Sequence, residues 1–156
     1  VLFRSSDQQA LLRRQPELIP SAVEEILRLE TPTSGMWRLV TTDSEVGGVS
    51  IPKGSIVMVR FAAANRDECV FHEGGQMKID RENADGHLAF GQGPHFCLGA
   101  QLARTEIQIA LTALIERTDN WSLVDGKNSL QHHPNVLLRG LKELYISFDK
   151  KVSKAA

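Results

Sequence analysis

Apolar positions recur at helical spacing in three stretches of the chain and alternate in several shorter ones. Residues 7–15 read as the end of a helix with Leu11 and Leu12 on its inner side, interrupted by Pro16. A second helix is predicted over 20–30: Val23, Ile26, Leu27 and Glu30 trace one side, and Pro20 is tolerated in the first turn. Thr31-Pro32 ends it, because a residue before proline avoids helical angles. The clearest helix follows Gly99. Ala103, Ile107, Ala110, Leu111 and Leu114 make one stripe, widened by Leu102, Ile109 and Ile115. Between the helices, residues 36–42 alternate as a strand, with Trp37, Leu39 and Thr41 opposite Met36, Arg38 and Val40. Residues 56–61 make a second strand, with turns at Gly47-Gly48 and Pro52-Lys53-Gly54, so a small antiparallel sheet is expected. Residues 68–88 show no period and read as a meander packed by Val70, Phe71 and Ile79. Strands are predicted at 121–124 and 141–148, and 150–156 reads as a frayed polar tail. The fold class is mainly α with small antiparallel β-sheets.

Composition narrows the function. The 156 residues suit one domain, and 42% hydrophobic with 24% charged residues is ordinary for a soluble chain. A net charge of −1 without a basic stripe argues against nucleic-acid binding. No apolar run is long enough to cross a bilayer. Two cysteines, Cys69 and Cys97, make no disulfide framework, which suits a reducing, cytoplasmic compartment.

The chemistry concentrates in Phe90-Gly91-Gln92-Gly93-Pro94-His95-Phe96-Cys97-Leu98-Gly99. Gly91 and Gly93 let the backbone lie close to a flat partner, and Pro94 stiffens the loop. Cys97 falls at the start of the long helix, where free N–H groups and the helix dipole favour a thiolate. A thiolate raised on a rigid loop is what an axial haem ligand requires. A zinc module is the alternative: Cys69, His72, His95 and Cys97 offer four acceptable ligands, although His-x-Cys is an awkward chelating spacing. A cysteine hydrolase is disfavoured because His95 and Cys97 are too close in sequence for a base–nucleophile pair. A dinucleotide fold is excluded, since Gly91-x-Gly93-x-x-Phe96 lacks the third glycine and no βαβ pattern surrounds it. Adjacent His132 and His133 point apart in extended chain and make no metal pair.

The loop resembles the haem-binding loop of the cytochromes P450, Phe-Gly-x-Gly-x-His-x-Cys-x-Gly, at every fixed position. Ala100, Leu102, Ala103, Arg104 and Glu106 match the start of the helix that follows in that family, and Ala64-Asn65-Arg66-Asp67 matches a stretch upstream. The resemblance covers nearly the whole chain after about residue 7. It implies the C-terminal portion of a single P450 domain of the soluble bacterial kind, which begins without Met and leaves open whether 1–5 belong to the native frame. The upstream helix that carries the family's proton-delivering acid–alcohol pair is not in this stretch, so the chain alone is expected to be inactive.

The resemblance also assigns roles. Cys97 would ligate the iron of haem b, Phe90 would pack beside the sulfur, and Gly91 and Gly99 would shape the loop. His95 and Arg38 would meet the haem propionates. Glu25 and Arg28, three apart on one helical face, would form the family's buried Glu-x-x-Arg lock; a surface pair Glu24–Arg28 is the plain alternative. The family adds an arginine from the meander. Gln76 occupies the expected place and Arg81 is the nearest substitute, so the closing residue stays open. Thr33, Ser34, Gly35, Met36 and Trp37, with Val136 and Leu137, fall where substrate-pocket residues are expected. The implied activity is a monooxygenase acting as a monomer on a small hydrophobic organic substrate with O2, fed by a ferredoxin or flavodoxin-type donor.

Overall fold

The computed structural model describes residues 1–151. Helix α1 spans Ser6–Arg14 and puts Leu12 into the core. Pro16 breaks it as expected, and a 3-10 turn at Pro16–Leu18 leads into α2, Ile19–Glu30. Pro20 sits in the first turn of α2, where its missing N–H has no partner to lose. The buried face of α2 is broader than one apolar stripe, because Glu25 and Arg28 are buried along with Ala22, Val23, Leu27 and Leu29.

Thr31 stops α2 in a left-handed conformation, φ 38°. For a β-branched residue this costs roughly 1–2 kcal/mol. Hydrogen bonds offset the cost: the Thr31 hydroxyl donates to the Arg28 carbonyl at 2.6 Å and accepts from Asn65 Nδ2 at 2.9 Å. Arg66 donates to the Leu29 carbonyl, so another free carbonyl of the helix end finds a donor.

Strand β1, Met36–Leu39, pairs antiparallel with β4, Ile56–Val59. Between them β2, Ser44–Val46, and β3, Val49–Ile51, form a hairpin across Gly47 and Gly48, both with positive φ. The sequence marked that turn but not its flanking strands, which are only three residues each. Both outer strands end earlier than the alternation suggested: β1 stops at Leu39, and Phe61, buried, opens the short helix α3, Phe61–Ala64. In the meander that follows, Phe71 and Ile79 are buried as expected, whereas Val70 is 57% exposed.

Helix α4, Ala100–Arg117, packs against α2, and β5, Thr118–Leu123, pairs with β6, Ile146–Lys150. The last strand lies C-terminal to its predicted place. The residues before it are engaged elsewhere: Leu141 bridges His132, and the Asn128 side chain accepts the Tyr145 N–H at 2.8 Å and donates to the Val124 and Tyr145 carbonyls. β5 shifts register at Asn120, φ 53°, and Trp121 is buried with its N–H on Thr118 Oγ1. Lys150 belongs to β6 and the Lys151 N–H reaches the Arg117 carbonyl, so the expected tail begins later, and 152–156 lie outside the described residues.

The core gathers Leu12, Val23 and Leu27 with Ile79, Leu111, Ile115 and Trp121, and Leu2 is buried at its edge. Only part of the α4 stripe reaches it. Leu102 and Ile109 are 63% and 64% exposed, because α2 covers one side of a helix that is apolar on more than one.

Candidate functional site

The loop between the meander and α4 is built by its glycines. Gly91 (φ 71°) and Gly93 (φ 75°) both adopt angles that favour glycine. They fold the chain so that the Cys97 N–H donates to the Phe90 carbonyl at 2.9 Å. A 3-10 turn, Gly93–His95, forms the tip, and Gly99 caps α4. Cys97 therefore lies just before the positive end of α4, with its thiol exposed. A Cβ on Gly99 would stand 4.0 Å from Cys97 Sγ, so the next turn of backbone runs close beside the sulfur. Among the described residues the N–H groups of Leu98 and Gly99 meet no protein acceptor.

Cys97 opens on a cavity of about 340 Å³. Leu27, Pro32, Phe61, Ala89 and Phe90 supply its apolar wall; Arg38, Gln92, His95 and Thr33 supply its polar groups. One soft sulfur donor, apolar walls and two basic side chains on one cavity fit haem, which presents an iron, a flat apolar ring and two carboxylates. Of the residues singled out by sequence, Cys97, His95, Arg38, Phe90, Gly91, Thr33 and Met36 share this cavity. The others do not line it. Ser34 is buried and donates its hydroxyl to the Val136 and Leu137 carbonyls, and a Cβ on Gly35 would lie 2.4 Å from the Val59 carbonyl oxygen. Val136 is exposed and Trp37 is half exposed on β1. Leu27, Pro32, Phe61, Ala89 and Gln92 are wall residues that sequence reasoning missed. Ala89 had a signal in its adjacency to the loop motif and Gln92 in filling a variable position within it; Leu27 was indistinguishable from core.

Beneath the loop lies a buried ionic network. Arg28 forks onto Glu25, Nε to Oε2 at 2.7 Å and Nη2 to Oε1 at 2.8 Å. Its Nη1 donates to the Asn65 and Gly74 carbonyls. Arg81 places Nε 3.2 Å from both Glu25 oxygens, while Gln76 offers only its backbone carbonyl. Asn65 ties this network to the loop, accepting the Leu88 N–H at 2.7 Å. That role gives a physical reason for the Asn65 of the matched stretch.

Glu24 has a different partner from the one sequence offered as the plain alternative. It takes the Arg104 fork from α4 at 2.7 and 2.9 Å, which raises the Arg104 pKa. His87 Nε2 lies 3.2 Å from Glu24 Oε2, and burial holds the imidazole pKa below its ordinary value against the pull of that carboxylate.

The zinc alternative does not survive. His72 is 90% exposed beside Glu73, Cys69 is exposed on the meander, and among the described residues no three His, Cys, Asp or Glu side chains gather closely enough to hold a metal ion. No helix of the described residues is long and apolar enough to cross a membrane.

Comparison with known proteins agrees with this geometry. The family model for cytochrome P450 matches residues 5–147. A steroid C26-monooxygenase of Mycobacterium tuberculosis is 40% identical over 147 residues, 94% of this chain and 39% of the relative. The 6-deoxyerythronolide B hydroxylase of Saccharopolyspora erythraea is 41% identical over 149 residues, 96% of this chain and 37% of the relative. The structure of cytochrome P450 CYP150A6 from Mycobacterium marinum in its substrate-free form superposes with a TM-score of 0.90 at 35% identity, over 96% of this chain and 38% of that one. The chain thus spans under two fifths of the length of these relatives. With its cysteine loop, its buried Glu25–Arg28–Arg81 network and this match along nearly its whole length, the chain belongs to the cytochrome P450 family.

Proposed function

We propose that the chain is the proximal, C-terminal part of a haem-thiolate monooxygenase. The observation that carries this reading is the Cys97 thiol opening on one apolar cavity with Arg38 and His95. Cys97 would hold the haem b iron, and Arg38 and His95 would hold its carboxylates. When bound, the haem supplies the activation of O2 that inserts one oxygen atom into a substrate and releases the other as water. The chain's own residues do the rest. Phe90 and Ala89 keep the sulfur side apolar, the N–H groups of Leu98 and Gly99 are free to hydrogen-bond the thiolate and temper its basicity, and the Glu25 network fixes the floor beneath the loop.

The parent protein would act on a small hydrophobic organic substrate, drawing electrons from a ferredoxin or flavodoxin-type donor, as a cytoplasmic monomer. Thr33 and Met36 are the substrate-facing candidates supported by position, since both line the cavity. Ser34, Gly35, Val136 and Leu137 would shape the pocket indirectly, through the bonds that join the 33–36 stretch to the last loop.

The test is a visible spectrum of the chain mixed with haem and reduced under carbon monoxide, beside Cys97→Ser. A strongly red-shifted Soret band that disappears in Cys97→Ser is the expected result. Bound haem with a spectrum indifferent to Cys97→Ser would refute the assignment.

A further inference from the structure

Phe90 stands where the cavity wall meets a buried polar cluster that the mechanism above does not use. Its ring lies 5.8 Å from the His87 ring and 4.8 Å beneath the Arg104 guanidinium, and its carbonyl takes the Cys97 N–H. Arg104 is in turn gripped by both oxygens of Glu24, so α2 and α4 are joined through the same guanidinium that covers Phe90. The His87 side chain is 1% exposed. Its Nδ1 accepts the Ala89 N–H at 3.1 Å, which places the proton of a neutral imidazole on Nε2, facing Glu24. That nitrogen is near Glu24 Oε2 but off the direction of a hydrogen bond, leaving a buried donor poorly satisfied. Native structures rarely keep such a group without a local reason.

A tie between two helices would need only Glu24 and Arg104. The cluster adds an imidazole bonded to the backbone one residue before Phe90 and a planar cation over the Phe90 ring, which together fix that residue's ring and main chain. We propose that Glu24, His87 and Arg104 form a positioning clamp that holds Phe90 and, through the Phe90–Cys97 backbone bond, sets the orientation of the Cys97 sulfur in the cavity. The consequence for the iron rests on the haem-thiolate reading; the effect on the loop does not.

Two variants separate positioning from stability. His87→Phe keeps a planar aromatic ring and removes the bond to Ala89. Arg104→Lys keeps the charge and an ion pair with Glu24, but a compact ammonium cannot lie flat over the ring and fork the carboxylate together. In the 156-residue chain without haem, amide hydrogen exchange at Cys97 is expected to quicken by about ten-fold or more in both variants, with Leu111 and Ile115 in α4 unchanged. In the haem-loaded chain both variants are expected to shift the iron midpoint potential, by about 59 mV for each ten-fold change in a one-electron equilibrium. Wild-type Cys97 exchange in Arg104→Lys would mean the cluster only ties the helices, and would overturn the clamp. Exchange quickened equally along α4 would overturn it too. If wild-type chain gives no Cys97-dependent haem spectrum, the haem reading fails, and the exchange data alone still decide the clamp.

Discussion

Removing the Arg28 guanidinium as Arg28→Met tests the network beneath the loop most severely. Arg28 and Glu25 have no exposed side-chain surface. The substitution leaves the Glu25 carboxylate buried with Arg81 and the Lys78 N–H as remaining partners. It also orphans the Asn65 and Gly74 carbonyls, while the Gln76 carbonyl keeps Arg81. Breaking a buried ion pair from one side costs about 3–5 kcal/mol, and each orphaned buried carbonyl adds about 1–3 kcal/mol. Partial compensation by Arg81 puts the total at about 4–6 kcal/mol, a large share of the roughly 5–15 kcal/mol that holds a domain together. Arg81→Met is expected to cost only about 1–2 kcal/mol, because Glu25 keeps the Arg28 fork and the lost carbonyl contacts lie closer to water. Urea unfolding followed by far-UV circular dichroism measures both. Arg28→Met should lose most or all of the folded baseline, and Arg81→Met should show a moderately lowered midpoint with an unchanged slope. Equal losses for the two, or an Arg28→Met cost below about 1 kcal/mol, would refute the view that Arg28 is the hub.

Adjacent glycines supply a sharper steric test. A Cβ on Gly74 would lie 2.6 Å from the Arg66 carbonyl oxygen, whereas one on Gly75 would meet nothing within 4 Å. Gly74→Ala should therefore lower the thermal midpoint by the equivalent of about 1–3 kcal/mol, while Gly75→Ala should be within about 0.5 kcal/mol of wild type; equal midpoints would show that the meander yields freely. His87 gives a pH dependence of defined sign. Burial lowers its pKa in the folded chain, so the unfolded state binds more protons below about pH 6.5, and stability falls as pH drops through that region by at most about 1.4 kcal/mol per unit. His87→Asn should flatten the stability curve between about pH 7 and 5, and an unchanged slope would show that folding does not lower the His87 pKa.

Much of the loop's geometry was legible because it is set by residues close along the chain. The spacing Phe90, Gly91, Gly93, His95, Cys97, Gly99 carries a local geometry: positive-φ glycines and a short turn fold Cys97 back toward Phe90. The Glu25–Arg28 pair was legible for the same reason, since a three-residue spacing on a helix puts both groups on one face. Its closing partner was not. Whether Gln76 or Arg81 answers Glu25 depends on how an aperiodic meander folds, and no local rule decides that. The hairpin of β2 and β3 escaped because three-residue strands offer too few alternations to register as a pattern.

By itself, then, the sequence determined the three longer helices, the cysteine loop and the family, which rest on patterns among residues close along the chain. The tertiary structure alone decided which long-range partner each polar group takes: Glu24 with Arg104 across 80 positions, Asn65 with Thr31 and Leu88, Ser34 with the carbonyls of Val136 and Leu137. It also decided which faces stay open, leaving Leu102 and Ile109 exposed on a helix whose pattern reads as core. The physical reason is the same in each case. Local spacing sets the direction of a side chain, but its burial and its partner are set by whatever the fold brings opposite it.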